Sequence, residues 1–474
     1  MIRLRLRFHF LPVLACVALC GTSGLTGAGS LPGSPSTTTN TQSEIDLPTV
    51  LRLSGAQNLD VQIARARLSE AKANRKSAVE QFLPWFAPGI AYHRRDGMAQ
   101  AVPAGTVTDT HFDSYAPGAT ISGQLVLGDA IYESLAAKQL VLASAQALET
   151  QRLDSTLSAV QSYFDLTKAK AIADVLRDAV GISQDYQNQL HEAVGAGIVF
   201  KGDELRVQTQ TQNYQISLRQ ALEQQRARSV ALCQVLHLDA TIELTPVKTD
   251  LVPLMLFPTN AALDSLVQKA LQQRSELKQS IALTAAARDA KNGAIYGPMV
   301  PTLGAQLFAG GFGGGHDNGP GNFGAAQDYQ LALSWRIGPG GLFDFGRQDA
   351  RKARLSVAEL NDTKLKDAIV AEVVARQNNV QSLLEQITLA EAKAATASEM
   401  LRLTHERKQF GVGIVLEDIQ AQQEFTKARS DYLSAIAELN KAEYALNRVV
   451  GNPAGGENTE RSVAEPASLP KLNR

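Results

Sequence analysis

GIVFKGDELRVQTQTQNYQISLRQALEQQRARSVALCQVLH, residues 197–237, lies without a gap on GVGIVLEDIQAQQEFTKARSDYLSAIAELNKAEYALNRVVG, residues 411–451. At this offset of 214, Gly197 meets Gly411, Gln208 meets Gln422, Ala221 meets Ala435 and Leu232 meets Leu446. Conservative pairs fill in between: Asp203 with Glu417, Glu204 with Asp418, Leu205 with Ile419. Further out, the helical segments that open each half correspond at an offset of 216. Ala71 falls on Ala287 and Ala78 on Ala294, and each segment runs into a strand entered through Pro84 or Pro301. Short structural repeats have periods of roughly 20–50 residues, so the unit duplicated here is domain-sized. Each copy reads helix, strand, strand, very long helix, glycine break, long helix.

The long helices exclude an ordinary globule. Ala130 to Ala193 contains no proline and a single glycine, Gly181, and Arg347 to Gln409 contains neither. At 1.5 Å per residue, ~63 helical residues extend about 95 Å. Ala64, Ala71 and Ala78 recur at heptad spacing, which permits close, coiled-coil-like contact. Each long helix stops at a glycine-rich tip, Gly195-Ala196-Gly197-Ile198-Val199 or Gly411-Val412-Gly413-Ile414-Val415, because glycine adopts the positive φ that ends helices. Asp203, Glu204, Glu417 and Asp418 follow the tips. There they either start the returning helix, where acids favour the positive end of the dipole, or serve a function at the tip.

The strands carry the membrane signal. In residues 329–337, Tyr329, Leu331, Leu333, Trp335 and Ile337 alternate with small or polar residues, among them Ser334 and Arg336. Such period-two alternation marks a strand with one apolar and one wet face. Tyr115, Ala119, Ile121, Leu125 and Leu127 do the same in the first half. The partners are expected at 83–93 and 300–310, joined by loops at Arg94–Phe112 and Gly311–Asp328, the second glycine-rich, flexible and polar. Each strand has about the 9–11 residues that a tilted strand needs to cross a bilayer. Four strands are too few to close a channel, and an unpaired backbone edge in hydrocarbon costs several kcal/mol per group. The sheet is therefore either small and soluble or shared by several chains, three chains giving the twelve strands of an outer-membrane barrel.

Composition narrows the remaining classes. A net charge of −1 over 474 residues argues against nucleic acid as a partner. Arg3, Arg5 and Arg7 ahead of the apolar run Phe8–Cys20 read as a secretory signal peptide, with cleavage expected after Ala28. Val13-Leu14-Ala15-Cys16 resembles a lipoprotein signal. The short apolar run before Cys16, and Leu19 before Cys20, favour two unmodified leader residues instead. The layout is then 1–28 signal peptide, 29–47 flexible N-terminal arm, 48–240 first repeat, 241–259 inter-repeat linker, 260–452 second repeat and 453–474 C-terminal tail. The seven histidines, including His191 and His405 near the tips, form no metal-spaced pair and read as helix-surface residues. No catalytic constellation is found and no cofactor or metal is expected, so the chain reads as a non-enzyme.

The ordered double occurrence of these features resembles the TolC-like outer-membrane factor family of Gram-negative bacteria. Its carriers are Leu83-Pro84 and Val300-Pro301, the tip spacings Gly197, Asp203, Gln208 and Gly411, Glu417, Gln422, and the ending Leu446-Asn447-Arg448-Val449-Val450-Gly451. Together they span residues 50–452. The resemblance implies a mainly α fold with β. In it the duplicated unit forms, as a homotrimer, a 12-stranded outer-membrane β-barrel continuous with a long periplasmic α-helical barrel. It implies an outer-membrane exit duct that works with a periplasmic adaptor (membrane fusion) protein and an inner-membrane pump of RND or ABC type. It further implies a periplasmic gate at Glu417, Asp418, Asp203 and Glu204, and adaptor contact at Gly195, Gly197, Ile198, Val199, Gly411, Gly413, Ile414 and Val415. Outer-membrane lipid would meet Tyr329, Leu331, Leu333, Trp335 and Ile337. The chain departs from the family in carrying Ile-Val after the tip glycines, where relatives often have arginine and Ser/Thr, and in Asn58-Leu59 where they have Asn-Pro. The alternative reading is a structural coiled-coil protein of the cell envelope without transport.

Overall fold

The computed structural model describes residues 42–56, 58–100, 105–247, 251–258, 261–316, 322–409 and 415–452. The first repeat comprises α1 (Leu47–Ala56), α2 (Leu59–Glu80), β2 (Trp85–Gln100), β3 (Val107–Val126), α3 (Leu127–Gly195) and α4 (Lys201–Leu236). The second comprises α5 (Leu263–Gln273), α6 (Ser275–Tyr296), β5 (Thr302–His316), β6 (Asn322–Ser334), α7 (Phe345–Gln409) and α8 (Val415–Val450). Two short strands, β1 (Gln42–Ile45) and β4 (Glu243–Pro246), pair in parallel. The end of the arm expected to be flexible is thus a strand, held because Gln42–Ile45 finds a backbone partner in the inter-repeat segment. Asn58, at the position where the sequence departs from Asn-Pro, caps α2 by accepting from the Asp60 and Val61 amides, and its side chain also donates to Val235 O.

The four long strands form one antiparallel sheet in the order β2-β3-β5-β6. They are longer than the sequence suggested, and the two loops expected at 94–112 and 311–328 are largely strand. The glycines that read as flexibility are sites of close approach. A Cβ on Gly311 or Gly313 would meet the Phe323 ring at 2.2 and 2.8 Å, and Tyr115 also crowds Gly313. Phe323 stacks on Tyr115 with centroids 5.9 Å apart. The far end of the strand expected at 329–337 needs the opposite correction, because β6 ends at Ser334. Trp335, Arg336 and Ile337 open an elbow in which Leu342 N donates to Arg336 O at 2.9 Å, and Gly338, Gly340 and Phe343 all take positive φ. Arg336 is therefore not a residue of the wet strand face. In the first repeat Val126 ends β3 and Leu127 begins α3 with nothing between them.

α3 and α7 contain 69 and 65 residues. Their apolar contacts with α4 and α8 concentrate in the middle, where Phe164, Leu166, Leu232, Leu236, Ile369, Ile436, Tyr444 and Leu446 are buried together. Four helices are tied there by an ion-pair chain. Arg448 of α8 reaches Asp154 of α3 (2.7 Å) and Glu276 of α6 (2.6 Å), while Arg274, which precedes α6, joins Glu276 (2.9 Å) to Glu372 of α7 (2.7 Å). Burial alone would raise the Glu276 carboxyl. Arg274 and Arg448 outweigh it and hold Glu276 at about 2.

The inter-repeat segment is stapled to α8. Asn440 accepts from Leu254 N (2.8 Å) and donates to Val252 O (3.0 Å), and Glu443 accepts from Leu256 N (3.2 Å). Burial pushes Glu443 up to about 7, against the backbone N–H groups that favour its anion. A raised carboxyl is neutral in the fold at low pH and carries a desolvation cost once ionised, so the staple weakens as the pH rises through about 7. Glu443→Gln keeps an acceptor for Leu256 without the charge. It is expected to stabilise the protein at pH 8, by on the order of 3 kcal/mol at most, and to change little at pH 5. Equal melting shifts at both pH values would show that ionisation of Glu443 is not the cause.

Candidate functional site

Two regions stand out: the faces of the long sheet and the tips of the helical hairpins. Strand register assigns the faces, because directly paired residues project to the same side. One face carries the rungs Leu125–Leu303–Leu333, Gly123–Ala305–Leu331 and Phe86–Ile121–Leu307–Tyr329. Further along it, Tyr92 and Tyr115 lie in register with Gly313 and Phe323. The opposite face carries Trp85–Ser122–Gln306–Gln330, Ala87–Thr120–Phe308–Asp328 and Val126–Thr302–Ser334, more polar than the first but with Trp85 and Val126 toward the helical end. The large side chains of the first face lie open: Leu331 is 81% exposed, Tyr329 71% and Leu333 59%. From Leu333 to Phe323 is ten residues of β6, about 34 Å of strand at 3.4 Å each, or about 26 Å of height at a ~40° tilt. That matches the ~25 Å apolar band of outer-membrane barrels, with aromatic residues at its margin. Trp335 and Ile337 are also exposed, but on the elbow, where Trp335 Nε1 donates to Met299 O at 3.3 Å. Among the described residues no helix is long and apolar enough to cross a membrane.

At the first tip Gly195 ends α3 and Gly197 turns at φ +73°. Gly197 N donates to Val194 O and Ile198 N to Ala193 O, which closes the helix end. Ile198 and Phe200 are exposed, and Val199 is half-buried between them. At the second tip Gly411, Gly413 and Ile414 lie outside the described residues, and Val415 begins α8.

All four acids beside the tips have basic partners within their own hairpin. Glu204 is buried and meets His191 Nδ1 at 2.9 Å, with Lys201 Nζ on its other oxygen. Asp203 pairs with Arg206 at 3.2 Å, Glu417 with Arg407 at 3.4 Å, and buried Asp418 lies 3.8 Å from His405 Nδ1. The two histidines read as surface residues thus face acids across the hairpin in both repeats. His191 and His405 are themselves 214 apart, so the offset that revealed the duplication also linked them. The Lys201 and His191 hydrogen bonds hold Glu204 below the usual carboxylate range. Among the described residues no group of three His, Cys, Asp or Glu side chains is placed to hold a metal ion.

A cross-hairpin pair on a buried acid holds the start of α4 against α3. Glu204→Gln is expected to speed hydrogen exchange in the first turns of α4 by about tenfold and to leave the buried middle unchanged. Because the Glu204 carboxyl is depressed, its contribution is present above about pH 4.3 and lost as the pH falls further. Exchange at α4 identical in parent and variant would remove the pair from this role.

The family model described as outer membrane efflux protein matches residues 266–452, most of the second repeat. No curated protein matches the sequence. Among solved structures, the fold is similar to that of the CmeC outer membrane channel of Campylobacter jejuni, at 16% identity over 90% of this chain and 94% of that one, with a TM-score of 0.72. The outer membrane protein VceC of Vibrio cholerae is similar at 15% identity over 86% and 96%, TM-score 0.70. The MtrE outer membrane channel of Neisseria gonorrhoeae in its open state is similar at 15% identity over 90% and 96%, TM-score 0.65. At such identities the likeness is one of fold.

Proposed function

We propose that this chain, whose second repeat belongs to the outer membrane efflux protein family and whose fold is that of TolC-like channels, is the outer-membrane exit duct of a tripartite efflux or type I secretion assembly. The observation that carries the reading is the register of the long sheet. It sorts Leu303, Leu307, Tyr329, Leu331 and Leu333 to one side and Gln306, Gln330, Asp328 and Ser334 to the other. A two-faced sheet whose edge strands, among the described residues, are β2 and β6 suits a closed barrel of three chains in the outer membrane, lipid outside and water within. The helical hairpins then extend into the periplasm, where the tips around Ile198 and Val199, and around Val415 in the second repeat, meet an adaptor protein coupled to an inner-membrane pump. Exposed apolar residues at the first tip, Ile198 and Phe200, support an apolar contact there in place of the arginine and hydroxyl chemistry of relatives.

The gate belongs at the same tips. Glu417 is the most open of the four acids, with its side chain 42% exposed, whereas Glu204 and Asp418 are buried in their hairpins. Glu417 with Asp203 therefore faces the periplasmic entrance, a three-fold acidic ring of the kind that favours cations, while Glu204 and Asp418 fasten the hairpins.

Light scattering in detergent is expected to give three chains per particle, and planar bilayers containing the protein are expected to show single-channel conductance. A monodisperse monomer that retains its sheet would contradict the reading. Tyr329→Arg places a charge toward lipid near the middle of the apolar band and is expected to cost ~2–4 kcal/mol, with loss of heat-resistant trimer. Gln330→Arg on the wet face is expected to be tolerated; equal trimer yields would overturn the assignment of faces. Glu417→Gln is expected to weaken block by divalent cations added on the periplasmic side, and unaltered block would move the gate elsewhere.

A further inference from the structure

The wet face of the sheet is not uniformly polar. Phe308 projects from it in register with Thr120 on β3 and Asp328 on β6. Four residues along the same strand and on the same side, Phe312 is 55% exposed. The Phe308 ring lies over the backbone of a neighbouring strand: a Cβ on Gly118 would meet it at 2.6 Å, and one on Gly310 at 3.1 Å. The glycines thus let the ring pack close against the sheet, while Phe308 stays half-buried and part of its surface is open on the wet side. Asp328 is exposed beside it, one strand away, about 5 Å between paired Cβ positions. The basic groups of that face lie well away along the strands. His93, in register with Ser114 and Gly314, is six residues beyond Phe308, roughly 20 Å. Arg95, in register with Phe112 and His316, is eight residues beyond, roughly 27 Å.

Covering of strand glycines accounts for Phe308 alone. It does not account for Phe312, which has more than half its surface open on a face that between Trp85 at one end and Phe112 at the other carries mainly Gln, Thr, Ser, Asp, Ala and Gly, nor for a carboxylate directly beside the Phe308 ring. An aromatic face next to an anion has a defined complement. The quadrupole of the ring attracts a cation over its face, the carboxylate adds its charge, and the apolar ring surface favours a solute with hydrocarbon of its own. Phe312, about 14 Å farther along β5, offers a second apolar step toward the outer end of the strand.

We infer that Phe308 and Asp328 form a lumenal contact site for lipophilic, aromatic organic cations, with Phe312 the next contact along the exit path. The site rests on the duct reading, since that reading turns the wet face into the wall of a lumen and brings three copies of the site to one height. It assigns part of the substrate preference to the outer-membrane component itself.

The test is single-channel recording of the full-length protein in planar bilayers with potassium chloride. Tetraphenylphosphonium serves as probe and tetramethylammonium as the control that carries the same charge without rings. Tetraphenylphosphonium is expected to reduce or interrupt the current at concentrations where tetramethylammonium does not. Asp328→Asn is expected to raise the half-blocking concentration roughly tenfold, and Phe308→Leu and Phe312→Ser each roughly threefold, with potassium conductance nearly unchanged. Asp328 and Phe312 lie open on the face, so their variants preserve the fold even if the glycine-packed Phe308 position tolerates substitution poorly. Equal block by the two probes, or the same half-blocking concentration in parent, Asp328→Asn and Phe312→Ser channels, would overturn the site while leaving the duct intact. Absence of channels from the parent protein would overturn the duct reading, and the site with it.

Discussion

The structure depends on an edge condition. Among the described residues, a single chain supplies four long antiparallel strands whose outer members, β2 and β6, each have a strand neighbour on one side only. In water such an edge is a liability; in hydrocarbon it is untenable, because each unsatisfied group costs several kcal/mol. Closing the sheet with other copies of the chain answers that condition, and the apolar rungs from Leu333 to Phe323 are then the part that faces lipid. The glycines of β5 serve the same end. Gly311 and Gly313 let the Phe323 and Tyr115 rings lie against the sheet, so that a sequence poor in β-formers still makes fifteen residues of strand.

Helices of 69 and 65 residues bring a different problem, that of holding neighbours in register over a long contact. Apolar packing resists sliding only weakly where the surface is a run of alanines, as along much of α2 and α6. The middle of the bundle supplies the directional contacts. Arg448 and Arg274 share Glu276 and draw Asp154 and Glu372 into one chain of charges across four helices. Buried ion pairs are weak sources of stability but punish any arrangement that separates them. Asn440 and Glu443 add polar contacts from α8 to the backbone of the inter-repeat segment, so the link between the repeats is held by the second repeat's last helix.

Much of this was legible in the sequence, and the reasons are local. The long helices show because proline and glycine are missing from Arg347–Gln409; β6 shows because Tyr329, Leu331 and Leu333 alternate with small or polar residues. The hairpin beyond them did not show. GGFGGGH reads as a loop when side chains are considered one at a time, and only the cross-strand contact with Phe323 reveals it as strand. The elbow was hidden for the converse reason: Trp335 and Ile337 continue the alternation of β6, while the positive φ of Gly338, Gly340 and Phe343 turns the chain away. At the tips the acids were visible and their partners were not. His191 and Glu204 are thirteen residues apart in sequence, on opposite arms of a hairpin, a separation that no helix-surface rule connects.

The two hairpin ends are related but not equal. The first carries Gly197, Phe200 and the Lys201–Glu204–His191 cluster; the second sets Asp418 and His405 farther apart and has Leu416 where the first has Gly202. A ring of three such chains has six hairpins but only three-fold symmetry. A partner built of six identical subunits therefore cannot engage the ring in six equivalent ways. Its subunits must fall into two alternating classes, with every second contact made by different residues, and no change in one hairpin type alone can alter all six.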